Sequence, residues 1–407
     1  MEIEVVSTEK GTLCRALEIK AGGKKVRTPT RALNLTRNSK VELDATKHLV
    51  GTKFTPFAEV FARVTPDVLS KIIDSDPTGQ RFSSELNLRL NQSREAGAVP
   101  YLVLQLTNND GSPYNQVPPK RILDLLFNLL WGTPGNSFVV PPLLGALQNE
   151  SDYVGLFKML KERIESRTER RELPLVGLVP SSYRLVAPRL IQGYWNLGCR
   201  LFAFDCENKK TAAFGYVLEK LHQELTPLSR GSREQYALHA LNSKFRTGRG
   251  DTMRVNDLLS PGFGFDSYGP NHVTRFRWIP QRPLSPLQNN QLLSSTTYGF
   301  VPMEAVASGD ASSDTPGLRT RALAATTRTE LRQASAASAR NLSVAHNAEV
   351  EMTEISKFTA LVESGNLMKH YEGKPLVAEE VQVMRKVGAR SLDTERQESL
   401  SEWFGGG

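Results

Sequence analysis

Between Thr30 and Phe265 the chain alternates short apolar runs with longer amphipathic stretches. The runs are Ala32–Leu35, Glu59–Val64, Leu102–Leu106, Phe138–Val140, Leu175–Val179, Leu201–Phe204, Ala237–Leu241 and Gly262–Phe265. Each has the length of a strand buried on both faces, as the strands of a parallel sheet are. Helix-start signals separate several of them: Pro66-Asp67 ahead of Val68, and Pro118-Pro119 ahead of the run from Ile122 to Trp131. Tyr153 to Arg170, Arg184 to Leu197 and Thr211 to Leu225 also carry a helical pattern. Eight strands with helices between them over residues 30–270 predict an α/β fold, a (β/α)₈ TIM barrel. A doubly wound open sheet is the structural alternative.

Beyond the eighth run the texture changes. Residues 278–316 are rich in Pro, Ser, Gln and Asn, which predicts a long loop or irregular insertion. An Ala/Arg-rich helix is expected over Leu318–Arg340, with one face solvated or bound to something polar, and an amphipathic helix over Glu349–Leu367. The resulting division is a catalytic barrel over 1–277, a loop-rich and Ala/Arg-rich insertion over 278–345, and a C-terminal helical segment over 346–407 that completes the barrel.

With 407 residues, 39% of them hydrophobic, the chain can bury a large core. It has no run of about 18 uncharged apolar residues, and Met1-Glu2-Ile3-Glu4 lacks the basic and apolar regions of a signal peptide, so a cytoplasmic location without a membrane partner is expected. Cys14, Cys199 and Cys206 are too few and too scattered for a disulfide framework or a paired-cysteine zinc site. A formal charge of +8 favours a polyanionic partner, because arranged Lys and Arg bind phosphates with release of counterions.

In a parallel barrel the chemistry is built just past the carboxyl ends of the strands. Those positions hold Asn108, Asn109 and Asp110 after the third run, Ser181 and Ser182 after the fifth, Asp205 at the end of the sixth, and Asp266, Tyr268, Asn271 and His272 after the eighth. Two carboxylates facing one cavity, Asp110 and Asp266, could divide the labour of nucleophile and acid/base in sugar chemistry. Asp110 in Asn-Asp-Gly-Ser also reads as a simple turn residue. Asp266 also reads as a helix cap or loop-ordering residue, and Asp205 competes for its role, with substrate orientation as its default. Asn108, Asn109, Ser181, Ser182, Tyr268, Asn271 and His272 are the other candidate substrate contacts, whereas His239 lies inside a strand pattern and reads as a core histidine. Lys244, Arg246, Arg249 and Arg254 before the eighth strand, and Arg275, Arg277 and Arg282 after it, are candidate nucleic-acid contacts. No Gly-x-Gly-x-x-Gly after a strand, phosphate-binding Walker loop or His-Glu-x-x-His is present.

Four segments of the chain resemble the tRNA-guanine transglycosylase superfamily, and within it the DNA-guanine transglycosylases. Arg27-Thr28-Pro29-Thr30-Arg31-Ala32-Leu33 is similar to the family's Thr-Pro entry into its first strand, and Leu106-Thr107-Asn108-Asn109-Asp110-Gly111-Ser112 falls where the family has Asp-Ser-Gly-Gly. Gly264-Phe265-Asp266 is similar to the Phe-Asp of the family nucleophile, and His346-Asn347 resembles the terminal His-Asn helix. The resemblance implies that Asp266 attacks the anomeric carbon of a deoxyguanosine, that Asp110 moves protons, and that a 7-deazaguanine base such as preQ0 replaces guanine, with no cofactor and no metal. Residues 267–407 contain no cysteine, so the zinc ligands usual in tRNA-acting members are missing. The expected polymer is therefore DNA, within a DNA-modification system that could include partner proteins. A zinc-free enzyme acting on tRNA and a non-catalytic nucleic-acid-binding barrel are the alternatives.

Overall fold

A computed structural model describes residues 1–21, 23–35, 40–50, 55–133, 137–145, 147, 149–167, 173–248, 252–273, 285–312 and 314–390. The first three strands, β1 (Glu2–Thr8), β2 (Arg15–Ala21) and β3 (Lys24–Arg27), form an antiparallel sheet ahead of the barrel. The apolar runs of the sequence reading then become β4 (Thr30–Leu35), β5 (Phe57–Val64), β6 (Val99–Leu106), β7 (Phe138–Leu143), β8 (Gly177–Pro180), β9 (Leu201–Asp205) and β10 (Ala237–Leu241). Two short strands, β11 (Arg246–Thr247) and β12 (Arg254–Val255), make a hairpin before β13 (Ser267–Tyr268), the eighth strand of the barrel.

The large sheet runs β7-β6-β5-β4-β13-β10-β9-β8 with parallel pairing throughout. Its two ends meet through a single parallel bridge between Val139 and Leu175, so the sheet is a nearly closed (β/α)₈ barrel. The strands are buried on both faces, as a barrel ringed by helices requires. Leu33, Val60, Leu102, Val140, Phe202 and Leu238 are all buried. Helices follow where apolar residues recur at helical spacing: Pro66–Ile73, Lys120–Trp131, Glu150–Glu165, Ala187–Asn196 and Gly215–Ser232. Thr65 accepts from the Val68 backbone N–H and caps the first of these, with proline at its opening turn.

Two expectations need correction. The Gly262–Phe265 run is not the eighth strand: Asp257–Phe263 is a 3-10 helix, Gly264 turns the chain at φ +92°, and the strand begins at Ser267. Two glycines and Pro261 deprive that run of the side chains and donor a strand needs. The Leu318–Arg340 stretch is not one helix but two short ones, Arg321–Ala324 and Arg328–Arg332, followed at Ala336 by a long helix that continues to Glu363. Thr320, Thr327 and Ser335 each accept a backbone N–H and start the three helices separately. The insertion also carries a hairpin, β14 (Gln291–Leu293) with β15 (Phe300–Pro302), and a small core of its own around Leu292, Met303, Val306, Leu318 and Leu331.

The long helix joins insertion to barrel. Asn347 accepts from the Leu293 N–H at 2.7 Å and donates to the Gln291 carbonyl, while the His346 ring contacts the Leu293 carbonyl at 3.0 Å. The His-Asn pair thus holds the β14 strand. One turn on, Glu351 meets Arg31 of β4 at 2.7 Å, and Arg31 also forks onto Glu42. None of the described helices is long and apolar enough to cross a membrane.

Candidate active site at the barrel mouth

A cavity of about 830 Å³ opens at the carboxyl ends of the strands, lined by Phe61, Gln105, Ser182, Asp205, Glu207, Asn242 and His272 among others. Asp205 is the last residue of β9, in register with Pro180 and Leu241 on either side, so the sheet delivers its side chain to the cavity floor. Its Oδ1 accepts from the Glu207 N–H at 2.9 Å and from the Asn242 amide at 3.0 Å. Its Oδ2 has no hydrogen-bonding partner among the described residues. Burial pushes the carboxyl up to about 6, with the Glu207 N–H and Asn242 working against the rise.

The backbone around Asp205 is unusual. Glu207, Asn208 and Asn242 lie in the left-handed region at φ +47°, +62° and +51°. Asparagine enters that region most readily among the L-residues, while Glu207 does so at a cost of order 1–3 kcal/mol. Hydrogen bonds hold the conformation. The Asn208 N–H donates to the Asn242 carbonyl at 2.8 Å, the Asn271 amide donates to Asn208 Oδ1 at 2.6 Å, and the His272 N–H donates to Asn242 Oδ1 at 2.9 Å.

A second polar group lies inside the mouth. Glu59 of β5 is fully buried, and its two oxygens meet His239 Nε2 at 2.6 Å and His272 Nε2 at 2.7 Å. Burial works to raise the Glu59 carboxyl, but hydrogen bonds and charge from the two histidines outweigh it, and the group titrates below its ordinary range. His239 Nδ1 is in turn 2.8 Å from Ser267 Oγ. The His272 ring stacks on Phe61 with centroids 4.3 Å apart and planes 4° from parallel. A Cβ on Gly269 would lie 1.4 Å from Glu59 Oε1, so only glycine leaves room for this carboxylate.

The predicted pair of aspartates is not brought together. Asp266 sits at the opposite, amino-terminal end of the barrel: its carbonyl accepts from Thr30 at the start of β4, and its N–H donates to Leu238 at the start of β10. Arg15 holds both of its oxygens, at 3.1 Å from Nε and 2.7 Å from Nη2, and the Leu238 N–H donates to Oδ2 at 2.8 Å. Arg15 also donates to the Tyr236 carbonyl and lies 3.7 Å over that ring. The displacement follows from the late start of β13, which leaves Asp266 before the strand instead of after it. Asp110 is at the correct end but exposed, and its carboxylate accepts from the Ser112 N–H at 2.9 Å, beside Gly111 at φ +83°. This is the turn alternative of the sequence reading.

The remaining candidates scatter. Asn108 closes the same turn through Ser112 Oγ and the Pro113 carbonyl, and Asn109 receives the Asp67 N–H at 3.4 Å. Ser182 lines the cavity, while Ser181 beneath it is buried with Lys209 Nζ 3.3 Å from its hydroxyl. Tyr268 is fully buried, its hydroxyl without a partner among the described residues, and does not reach the mouth cavity. Among the basic residues, Arg254 is consumed by Glu379 and Glu380 at 2.8–3.2 Å, so it holds the C-terminal segment and is not open for phosphate. Arg246 donates to Gln291, and Lys244 is half-buried. Arg249, Arg275, Arg277 and Arg282 lie outside the described residues.

Sequence reading missed Glu59. The available signal was an acidic residue in the middle of Phe-Ala-Glu-Val-Phe-Ala-Arg-Val, where an inward-facing charge costs several kcal/mol unless paired. Cys14, Cys199 and Cys206 are buried free thiols, and no cluster of metal-ligating side chains occurs among the described residues. No known protein-family model and no curated protein matches the chain.

Proposed function

We propose that the protein is a base-exchange transglycosylase that replaces guanine in DNA with a 7-deazaguanine, with Asp205 as the nucleophile. One observation carries the reading: at the floor of the mouth cavity, Asp205 has one oxygen fixed by two donors and the other without a partner among the described residues. A carboxylate anchored in this way presents a lone pair in one direction, as attack on an anomeric carbon demands. With its carboxyl pushed up to about 6, it is still mainly ionised at pH 7. Support for the substrate comes from the basic balance of the chain and from the resemblance drawn above, with the nucleophile moved from Asp266 to a carboxylate that faces the cavity.

In the proposed cycle Asp205 Oδ2 bonds to C1′ as guanine departs, and the entering base displaces the ester from the vacated side. Two inversions retain configuration. A base within a duplex is out of reach, so the enzyme flips the target guanine or takes single strands.

The test is guanine release and uptake of a labelled 7-deazaguanine on single-stranded DNA, duplex DNA and tRNA. A sugar–enzyme ester trapped on Asp205 with DNA is the expected result, and Asp205→Asn should lower the rate by more than about a thousandfold. Exchange into tRNA alone would reassign the polymer. No exchange with any of them would leave a non-catalytic barrel.

A further inference from the structure

Base exchange needs a group that gives a proton to the departing base and takes one from the entering base. Asp110 was the sequence-based candidate, but it is spent in an exposed turn. Glu59 and His272 meet the requirement better. A fully buried carboxylate beside an imidazole that lines a cavity is the arrangement by which enzymes orient a histidine and stabilise its charged form.

The two histidines on Glu59 are not equivalent. His239 has both ring nitrogens engaged, Nε2 with Glu59 and Nδ1 with Ser267 Oγ, and belongs to the barrel interior. His272 has Nε2 on Glu59, while its Nδ1 has no partner among the described residues, and the ring lines the cavity. Its plane is set by the stack on Phe61 and its backbone by Asn242 Oδ1. The same Asn242 gives its amide to Asp205, so one side chain places both the nucleophile and the histidine.

We propose that His272, oriented by Glu59, is the acid/base residue of this site. The inference rests on the base-exchange reading. In the first half the C1′–N bond breaks, its electron pair goes to guanine, and guanine takes the proton from His272 Nδ1 as Asp205 Oδ2 bonds to C1′. In the second half the entering base gives its N–H proton to His272 Nδ1 and bonds to C1′, and the C–O bond to Asp205 breaks to restore the carboxylate. Atoms and charge balance without a co-reactant.

The experiment uses the full chain and a single-stranded DNA oligonucleotide. General acid/base catalysis contributes about 10²–10⁴-fold, so His272→Asn should cut kcat by at least a hundredfold with KM within about threefold, and added imidazole should restore at least tenfold of the rate. Glu59→Gln should lower kcat at least tenfold with KM within about threefold, because the His272 ring loses the carboxylate that orients it. Asp205, Glu207, His239 and Arg63 are the other titratable groups around the site, and Asp205 governs the acid limb of the pH–rate profile. His272→Gln repeats the rescue test if the Asn variant does not fold. A His272 variant above a tenth of the wild-type kcat, or one that imidazole leaves unchanged, overturns the assignment while base exchange stands. A wild-type protein that exchanges no base on DNA or tRNA overturns both.

Discussion

Removal of the Asp266 carboxylate separates a structural aspartate from a catalytic one. In Asp266→Ala the buried Arg15 guanidinium loses both of its carboxylate contacts, and the Leu238 N–H loses its acceptor. Breaking a buried ion pair from one side costs about 3–5 kcal/mol, because the remaining charge is left desolvated. Unfolding entropy of about 2.1 cal/mol/K per residue gives roughly 0.85 kcal/mol/K for a chain of 407 residues, so the melting temperature should fall by about 4–6 °C if unfolding is a single transition. Asp266→Asn keeps the shape and one acceptor and should fall between this variant and wild type. Differential scanning calorimetry gives the stability, and base-exchange rates below the melting range, normalised to folded protein, give the activity. Both variants should keep at least half of the wild-type turnover, since Asp266 lies at the far end of the barrel from the cavity. An Asn variant with an unchanged melting temperature and no turnover would refute this account and restore Asp266 as the nucleophile.

The rate of exchange should fall as pH drops through about 6, because protonation of Asp205 removes the proposed nucleophile. In Asn242→Gly, where glycine accepts the +51° backbone, the carboxylate loses a donor that stabilises its charged form, so the acid limb should move to higher pH. Gly269→Ala puts a methyl group onto Glu59 and should cost about 1–3 kcal/mol in urea unfolding, with loss of turnover. Arg254→Ala should lower stability through Glu379 and Glu380 yet leave DNA affinity within about twofold. Lys244→Ala, by contrast, should weaken DNA binding across sequences and flatten its salt dependence by roughly one unit of slope if Lys244 contacts a phosphate.

The barrel was legible because buried parallel strands need uniformly apolar residues, and that demand survives in any single sequence. Seven of the eight runs fall on strands for this reason. The eighth fails because β13 is only two residues long, Ser267 and Tyr268, and neither marks it by apolar character. Its place in the sheet comes from neighbours far along the chain, His239 and Ala240 on one side and Thr30 and Arg31 on the other. The apolar Gly-Phe-Gly-Phe segment ahead of it is buried for another reason: Phe263, at the end of a 3-10 helix, and Phe265, just after it, both pack into the core. Periodicity reports burial and leaves open which end of a strand a residue occupies.

That ambiguity decides the fate of each acidic candidate. Asp266 and Asp205 both follow a phenylalanine in a buried apolar segment, and local sequence cannot tell them apart. What separates them is Arg15, contributed by a sheet that precedes the barrel and 251 residues away from Asp266. A carboxylate whose oxygens are both held by a buried guanidinium is occupied; one held through a single oxygen is oriented and available. Glu59 shows the converse. Its neighbours in sequence are apolar, yet its partners His239 and His272 come from 180 and 213 residues away, and the fold alone turns a misplaced charge in a strand into the carboxylate that orients the histidine at the mouth.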